Sequence, residues 1–333
     1  VMRVGVSDTY IGGTGGRLLS ALASTVRRVF ERLVVIPGEE ILLVASGPLG
    51  RLDLDHDVLI DRLERAVPSG SELLPEMVPL FVDRDRAADL SARLSHDSTS
   101  NTVRNPRAVL LAGALHEARG FPELLPAVVA LEREGPRILA LIAGVAILVL
   151  LSTTVFEKQA AGASAAAVGF CSMGWWLLLI AAWQSTRGTV YSEIGALNAL
   201  FMAGLAAGAM AASRWPSPER KVPLILGGGV LLSLGLAAGI SLVSPGITIP
   251  VLLAAGGALT GAAFPGLAQM SSLETRRSAG VAFAGDEAGA AMAALTIGIF
   301  TVPLAGLTAT AWWLAILQLA AVPVAFVALR KVT

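Results

Sequence analysis

The pattern of apolar and polar positions changes near residue 137. Before it, short apolar runs alternate with charged and polar residues. From Ile138 to Leu329, long apolar stretches follow one another with short polar gaps. About 20 apolar residues cross the hydrocarbon core of a bilayer. The pattern predicts roughly seven such stretches, over 137–155, 165–184, 190–212, 222–243, 248–270, 281–303 and 309–329. The expected fold is a partial Rossmann-like α/β domain over residues 1–130. A multi-span all-α transmembrane bundle over residues 137–329 is expected to follow it.

In the first part, Arg3–Val6 reads as a strand and Gly12–Gly16 as a glycine-rich loop. Leu18, Leu19, Leu22, Val26 and Val29 then recur at helical spacing. Leu33–Ile36 and Ile41–Ser46 flank the turn Pro37-Gly38-Glu39 and read as a hairpin. Asp55–Ala66 and Asp83–Leu94 read as amphipathic helices. Strand, glycine loop, helix, strand is α/β grammar. A glycine loop before a helix is also where phosphates bind. The spacing fits neither GxGxxG, because Leu18 takes the last glycine's place, nor GxxxxGK[ST]. The loop is expected to be a connector.

Composition agrees with a membrane protein. Of 333 residues 54% are hydrophobic and 15% charged, and the mean hydropathy is +0.70. Zero formal net charge gives no basic field for nucleic acid. The single cysteine, Cys171, excludes an internal disulfide and a cysteine-built zinc site, and is read as a helix-packing residue. His56, His96 and His116 lie far apart on polar segments and read as surface residues. The chain opens on a strand without Met at position 1, with Asp8 following at once where a signal peptide would continue. It is expected to be part of a longer protein.

Inside the apolar region, Gly204/Gly208, Gly235/Gly239, Gly257/Gly261 and Gly285/Gly289 are small residues four apart. That spacing lets helices approach closely in lipid. Pro265 and Pro303 are expected to kink their spans. Charges at membrane depth are costly, which singles out Glu193, Asp286 and Glu287, with Arg187 and Tyr191 near the first of them. Asp286 and Glu287 read as about one turn into their span. Two readings stay open: acids at helix N-termini that offset the dipole, or an acidic cluster in the bundle interior for a polyamine, another small cation or a proton.

Several segments resemble a known family. Val34–Ser46, preceded by Val26-Arg27-Arg28-Val29-Phe30, is similar to the late hairpin of the spermidine synthase (aminopropyltransferase) fold. Asn101–Pro106 resembles the segment that follows it in membrane-linked members. Gly169–Met173 with Gln184, Val190–Gly195, Phe201–Gly208, Gly261–Pro265, Gly285–Ala291 and Pro303–Gly306 resemble, in order, the membrane part of fused spermidine synthase-like proteins. One position departs. Trp176 stands where the family pattern has an acid, which puts a carried-over role in doubt.

The resemblance implies the carboxy-terminal part of a membrane-bound spermidine synthase-like protein. The intact protein would move an aminopropyl group from decarboxylated S-adenosylmethionine to a diamine. The family's cofactor-binding and catalytic residues lie upstream of the hairpin. No catalytic, cofactor-binding or metal residue is therefore expected in this chain, which taken alone is expected to be inactive. Its partner would be the lipid bilayer, with a polyamine or small cation as the candidate ligand and no nucleic acid. The location implied is the bacterial inner membrane, multi-pass, with the soluble domain in the cytoplasm. Seven spans with basic loops inside would instead place that domain outside, so an even number of spans is expected. The alternatives are a transporter-like bundle or a non-catalytic membrane scaffold.

Overall fold

The computed structural model describes residues 1–7, 13–66, 74–94, 100–102, 108, 111–113, 115, 125–155, 159–187, 191–239, 246–270 and 275–330. The chain divides into two compact units, one drawn from Val1–Thr102 and Arg107–Ala130, the other chiefly from Leu131–Thr333.

The first unit contains β1 (Met2–Val4), α1 (Gly13–Val29), β2 (Arg32–Ile36), β3 (Ile41–Ser46), α2 (His56–Ala66), the single turn α3 (Val78–Phe81) and α4 (Arg84–Arg93). The sheet order is β1-β3-β2, with β3 antiparallel to both neighbours. β1 and β2 are therefore parallel to each other and joined through α1. The expected hairpin is present, with Val34 opposite Val44. Ile41 and Leu43 point inward, and the two-residue period of a strand puts them on one face. They meet Val4, Leu18, Leu19, Val35 and Leu90 in the core. Asp83 caps α4 by accepting from the Arg86 amide at 3.0 Å, which satisfies one free helical donor. Asn101 donates its amide to Thr25 Oγ1 at 2.7 Å and accepts from the Ala108 amide at 3.0 Å. Val103–Pro106, the rest of that resemblance segment, lie outside the described residues, as do Gly12, His96 and His116.

Among the described residues the sheet has three strands with flanking helices, an α/β unit. One expectation for this unit changes. The glycines from Gly13 onward are not a connector. They form the first turn of α1, and a Cβ at Gly15 would stand 3.0 Å from Val6 Cγ1. Glycine is used there for close approach of helix to strand.

The second unit is a helical bundle. It holds α5 (Leu125–Ser152), α6 (Ala160–Arg187), α7 (Tyr191–Ala212), α8 (Val222–Gly239), α9 (Thr248–Gln269), α10 (Thr275–Ala293), a π-helical stretch over Ala294–Thr301, and α11 (Val302–Leu329). Among the described residues five helices are long and apolar enough to cross a membrane: 160–187, 191–212, 218–239, 248–269 and the 51-residue run 279–329. Arg137–Ser152 in α5 is a shorter apolar helix. Leu141, Leu148, Leu224, Leu231, Leu319 and Phe326 all face outward and are exposed. Such a surface is unfavourable in water and suited to lipid.

The last run is not one rod. Ile297 and Leu314 would stand roughly 25 Å apart along a straight helix, yet both side chains reach the same point against Gly174. The chain doubles back at Gly306, whose φ of 83° and ψ of 172° leave the helical region. A positive φ suits glycine. Thr310 Oγ1 donates to the Gly306 carbonyl at 2.8 Å and Thr301 Oγ1 to the Thr296 carbonyl at 2.9 Å. These hydroxyls satisfy backbone groups that regular helix would have paired. Pro303, expected to kink a span, precedes this reversal. Pro265 lies inside α9 without ending it.

Three of the four glycine pairs are packing surfaces. A Cβ on Gly204 or Gly208 of α7 would collide with the carbonyls of Ala254 and Ala258 on α9. A Cβ on Gly257 or Gly261 of α9 would collide with those of Phe201 and Leu205 on α7. Residue numbers rise together along this contact, so the two helices run parallel. On α10, Gly285 and Gly289 sit against the backbone of Gly162 and Ala166 on α6, and Gly169 of α6 against the Asp286 carbonyl. This pair is parallel too. Gly235/Gly239 is the exception, since a Cβ on either would meet nothing within 4 Å among the described residues.

Gly208→Ala and Gly261→Ala should each destabilise the bundle by about 1–3 kcal/mol, because the added methyl meets backbone that cannot yield. Gly235→Ala should be neutral or stabilise by up to about 1 kcal/mol, the helix-propensity gain. Thermal unfolding in detergent checks all three.

Candidate functional site

The five polar residues singled out by sequence fall in two places. At the junction of α6 and α7, Trp183 Nε1 donates to Glu193 Oε2 at 2.9 Å. Glu193 is the third residue of α7, in its first turn, where a carboxylate offsets the helix dipole. The Arg187 guanidinium lies 5.1 Å above the Trp183 ring, a cation–π arrangement across one helical turn. One indole thus holds both charged side chains, its N–H on the acid and its face on the base. Tyr191 is 87% exposed and stands apart. Sequence reasoning named Glu193 and Arg187 but missed Trp183. An aromatic residue at the end of a span was the available signal.

Asp286 and Glu287 occupy the second place. The expectation put them one turn into their span. α10 begins at Thr275, so both acids lie three turns inside it. The Asp286 carbonyl packs on Gly169, well within α6. Its side chain is half-buried, and that of Glu287 is exposed. An end-of-helix role is therefore corrected for this pair and kept for Glu193. A single acidic cluster is also corrected. From Gly169 to Trp183, α6 rises roughly 21 Å, which separates Asp286 from Glu193.

A third polar group was not foreseen. Trp175 Nε1 of α6 donates to Ser233 Oγ of α8 at 2.8 Å, and Ser233 Oγ to Gln318 Oε1 of α11 at 3.5 Å. All three are at most 3% exposed. The absent side chain of Gly229 makes room for the Gln318 amide. A satisfied polar network in an apolar interior fixes which helices meet and in what register. A glutamine inside the run Ala315–Ala321 was the legible sign. Trp176, next along α6, packs against the same apolar cluster. Its buried Nε1 has no partner among the described residues.

The remaining chemistry-bearing residues do not join these groups. Cys171 is buried, with its thiol 3.8 Å from the Leu314 carbonyl. In the first unit, His56 Nε2 donates to the Val82 carbonyl at 2.7 Å. Among the described residues no three His, Cys, Asp or Glu side chains gather as a metal site. Compared with protein-family models, with curated proteins and with solved structures, the chain matches none.

Ser233→Ala leaves the Trp175 N–H buried without an acceptor. It should cost about 0.5–2 kcal/mol, read as a lower unfolding midpoint in detergent. Thr296→Ala, which removes an exposed hydroxyl bonded within its own helix, should change little.

Proposed function

We propose that this chain is the carboxy-terminal part of a membrane-bound spermidine synthase-like protein of the bacterial inner membrane. The observation that carries the reading is the sheet. Two parallel strands joined by a helix, with an antiparallel strand between them, are what a crossover unit at the end of an α/β sheet supplies. The segments that carry the resemblance also fall on packing points of the bundle. Gly169, Gly204, Gly208, Gly261, Gly285 and Gly289 all make backbone contacts. In the intact protein the reaction is aminopropyl transfer from decarboxylated S-adenosylmethionine to a diamine.

The described residues do not suit the adenosyl group. Gly13–Gly16 are spent in the first turn of α1, and Gly15 is closed by Val6. No step of the transfer is therefore assigned to this chain. The purified chain should not bind an adenosyl nucleotide in calorimetry, and micromolar affinity would refute that. The same reading requires an in-frame upstream extension with a glycine-rich strand–turn–helix, and aminopropyl transfer by the extended protein. A start codon directly before Val1 would remove it.

A second reading, a transporter-like bundle for a small cation, is favoured by two observations. Asp286 and Glu287 lie within the apolar run 279–329, about two turns from its start, where a charge is costly. Gly135 of α5 packs against Leu304, beside the reversal at Gly306 and at the opposite end of the bundle from Arg330. Read as a further pass, the shorter apolar helix Arg137–Ser152 of α5 would run from there toward the basic end, where Leu150 joins an apolar cluster with Met270 and Ala328. The basic residues Arg214, Arg220, Lys221 and Arg330 mark the cytoplasmic end, so the first unit would lie on the other side. A fluorescent reporter fused ahead of Val1 separates the two readings: it lights up in the cytoplasm for the enzyme and stays dark after export for the transporter. In proteoliposomes, Asp286→Asn should cut uptake of a radiolabelled diamine at least tenfold with unchanged thermal unfolding. Unchanged uptake sinks the transporter reading.

A further inference from the structure

The contacts of the six helices α6–α11 repeat. Adding 92 to a residue number carries α6 onto α9 and α8 onto α11. Adding 81 carries α7 onto α10. Under this rule Gly204 against the Ala254 carbonyl becomes Gly285 against that of Gly162, with α9 and α6 exchanged. Gly208 against Ala258 becomes Gly289 against Ala166. Gly261 against Leu205 becomes Gly169 against Asp286. Gly266 against Val222 becomes Gly174 against Leu314. The apolar clusters follow the same rule. Cys171, Trp175 and Leu178 lie in one, and their counterparts Ala263, Leu267 and Met270 in the other.

The sequence keeps a trace of the relation. Ala203–Ala209 reads AGLAAGA and Ala284–Ala290 reads AGDEAGA. The two differ only where Leu205 and Ala206 become Asp286 and Glu287. Each unit has three passes, an odd number, so the second enters the membrane from the side opposite the first. Inverted repeats of this kind underlie many secondary transporters, whose two units exchange arrangements to open the site alternately to either side.

We propose that α6–α8 and α9–α11 are inverted copies of one three-helix unit, and that the bundle alternates between two arrangements related by a pseudo-two-fold axis in the membrane plane. The polar link Trp175–Ser233–Gln318 exists in one copy only. Its counterparts are Leu267, Ala325 and Leu226, all buried and apolar. The link therefore holds shut the end of the bundle where α6 ends and α7 begins, and its absence from the other copy leaves the basic end free to open. The proposal deepens the transporter reading. It is tested without any solute, so it can fail or stand independently of diamine uptake.

The test uses the full chain carrying Cys171→Ala, which removes the native thiol. Leu236→Cys and Ala328→Cys are counterparts outside the polar link, both at most 2% exposed. Thr186→Cys and Ser213→Cys, at exposed positions, mark the two membrane faces. A membrane-impermeant maleimide is applied to sealed vesicles of either orientation. Leu236→Cys should react only from the Thr186 face and Ala328→Cys only from the Ser213 face, each more slowly than the markers. Trp175→Phe should speed the first and slow the second severalfold. Gln318→Leu, which copies the counterpart Leu226, should do the same and serves where Trp175→Phe fails to fold. No reaction at either buried position while the markers react, reaction of both from one face, or rates that move together or not at all would overturn the proposal.

Discussion

The bundle depends on helix backbones touching where side chains are missing. In lipid no hydrophobic force draws helices together, so close van der Waals contact carries the association. Gly204, Gly208, Gly257 and Gly261 bring α7 and α9 to backbone contact, and Gly169, Gly285 and Gly289 do the same for α6 and α10. Both pairs are parallel, so each joins helices separated by an odd number of intervening passes. The helices between them are then placed by connectivity, and the large side chains fill what is left. Leu178, Leu179, Leu253 and Leu314 are fully buried in that remainder.

Polar groups sit on this frame in three tiers. At the α6–α7 junction, Trp183 joins a charged acid and a charged base in a setting where water remains close. Within the bundle, Trp175, Ser233 and Gln318 satisfy one another across three helices and need no solvent. Asp286 and Glu287 belong to neither kind. The backbone of Asp286 makes a tight contact with Gly169, yet these acids differ from the residues at the corresponding places in α7. A helix surface that is otherwise repeated has acquired charge at one copy only.

Much of this was legible in the sequence because membrane spans are read from length and apolarity alone. The hairpin Val34–Ser46 and the amphipathic helix from Asp83 were legible for a different reason, since turn residues and residue periodicity are local. What failed was non-local. Gly13–Gly16 look like a loop until Val6 is known to lie against Gly15. Gly235/Gly239 have the same spacing as the working pairs, but among the described residues nothing lies within 4 Å of where their Cβ atoms would be. The place of Asp286 in its helix was misjudged because α10 starts at Thr275, in a polar stretch that hydropathy does not count as span. The reversal at Gly306 needed the third dimension too, for one glycine in an apolar run carries no sign of its φ.

The sole cysteine makes the protein its own gauge of integrity. Cys171 lies in the helix whose faces meet α8, α9, α10 and α11, and none of its surface is open. A thiol reagent that finds nothing to modify reports a closed bundle. One that finds a single site per chain reports a bundle that has come apart around α6, beside the close contact of Gly169. Membrane proteins are usually followed through detergent extraction by activity or by size. Here a stoichiometry of zero or one, read on unaltered protein, would tell whether extraction preserved the interior.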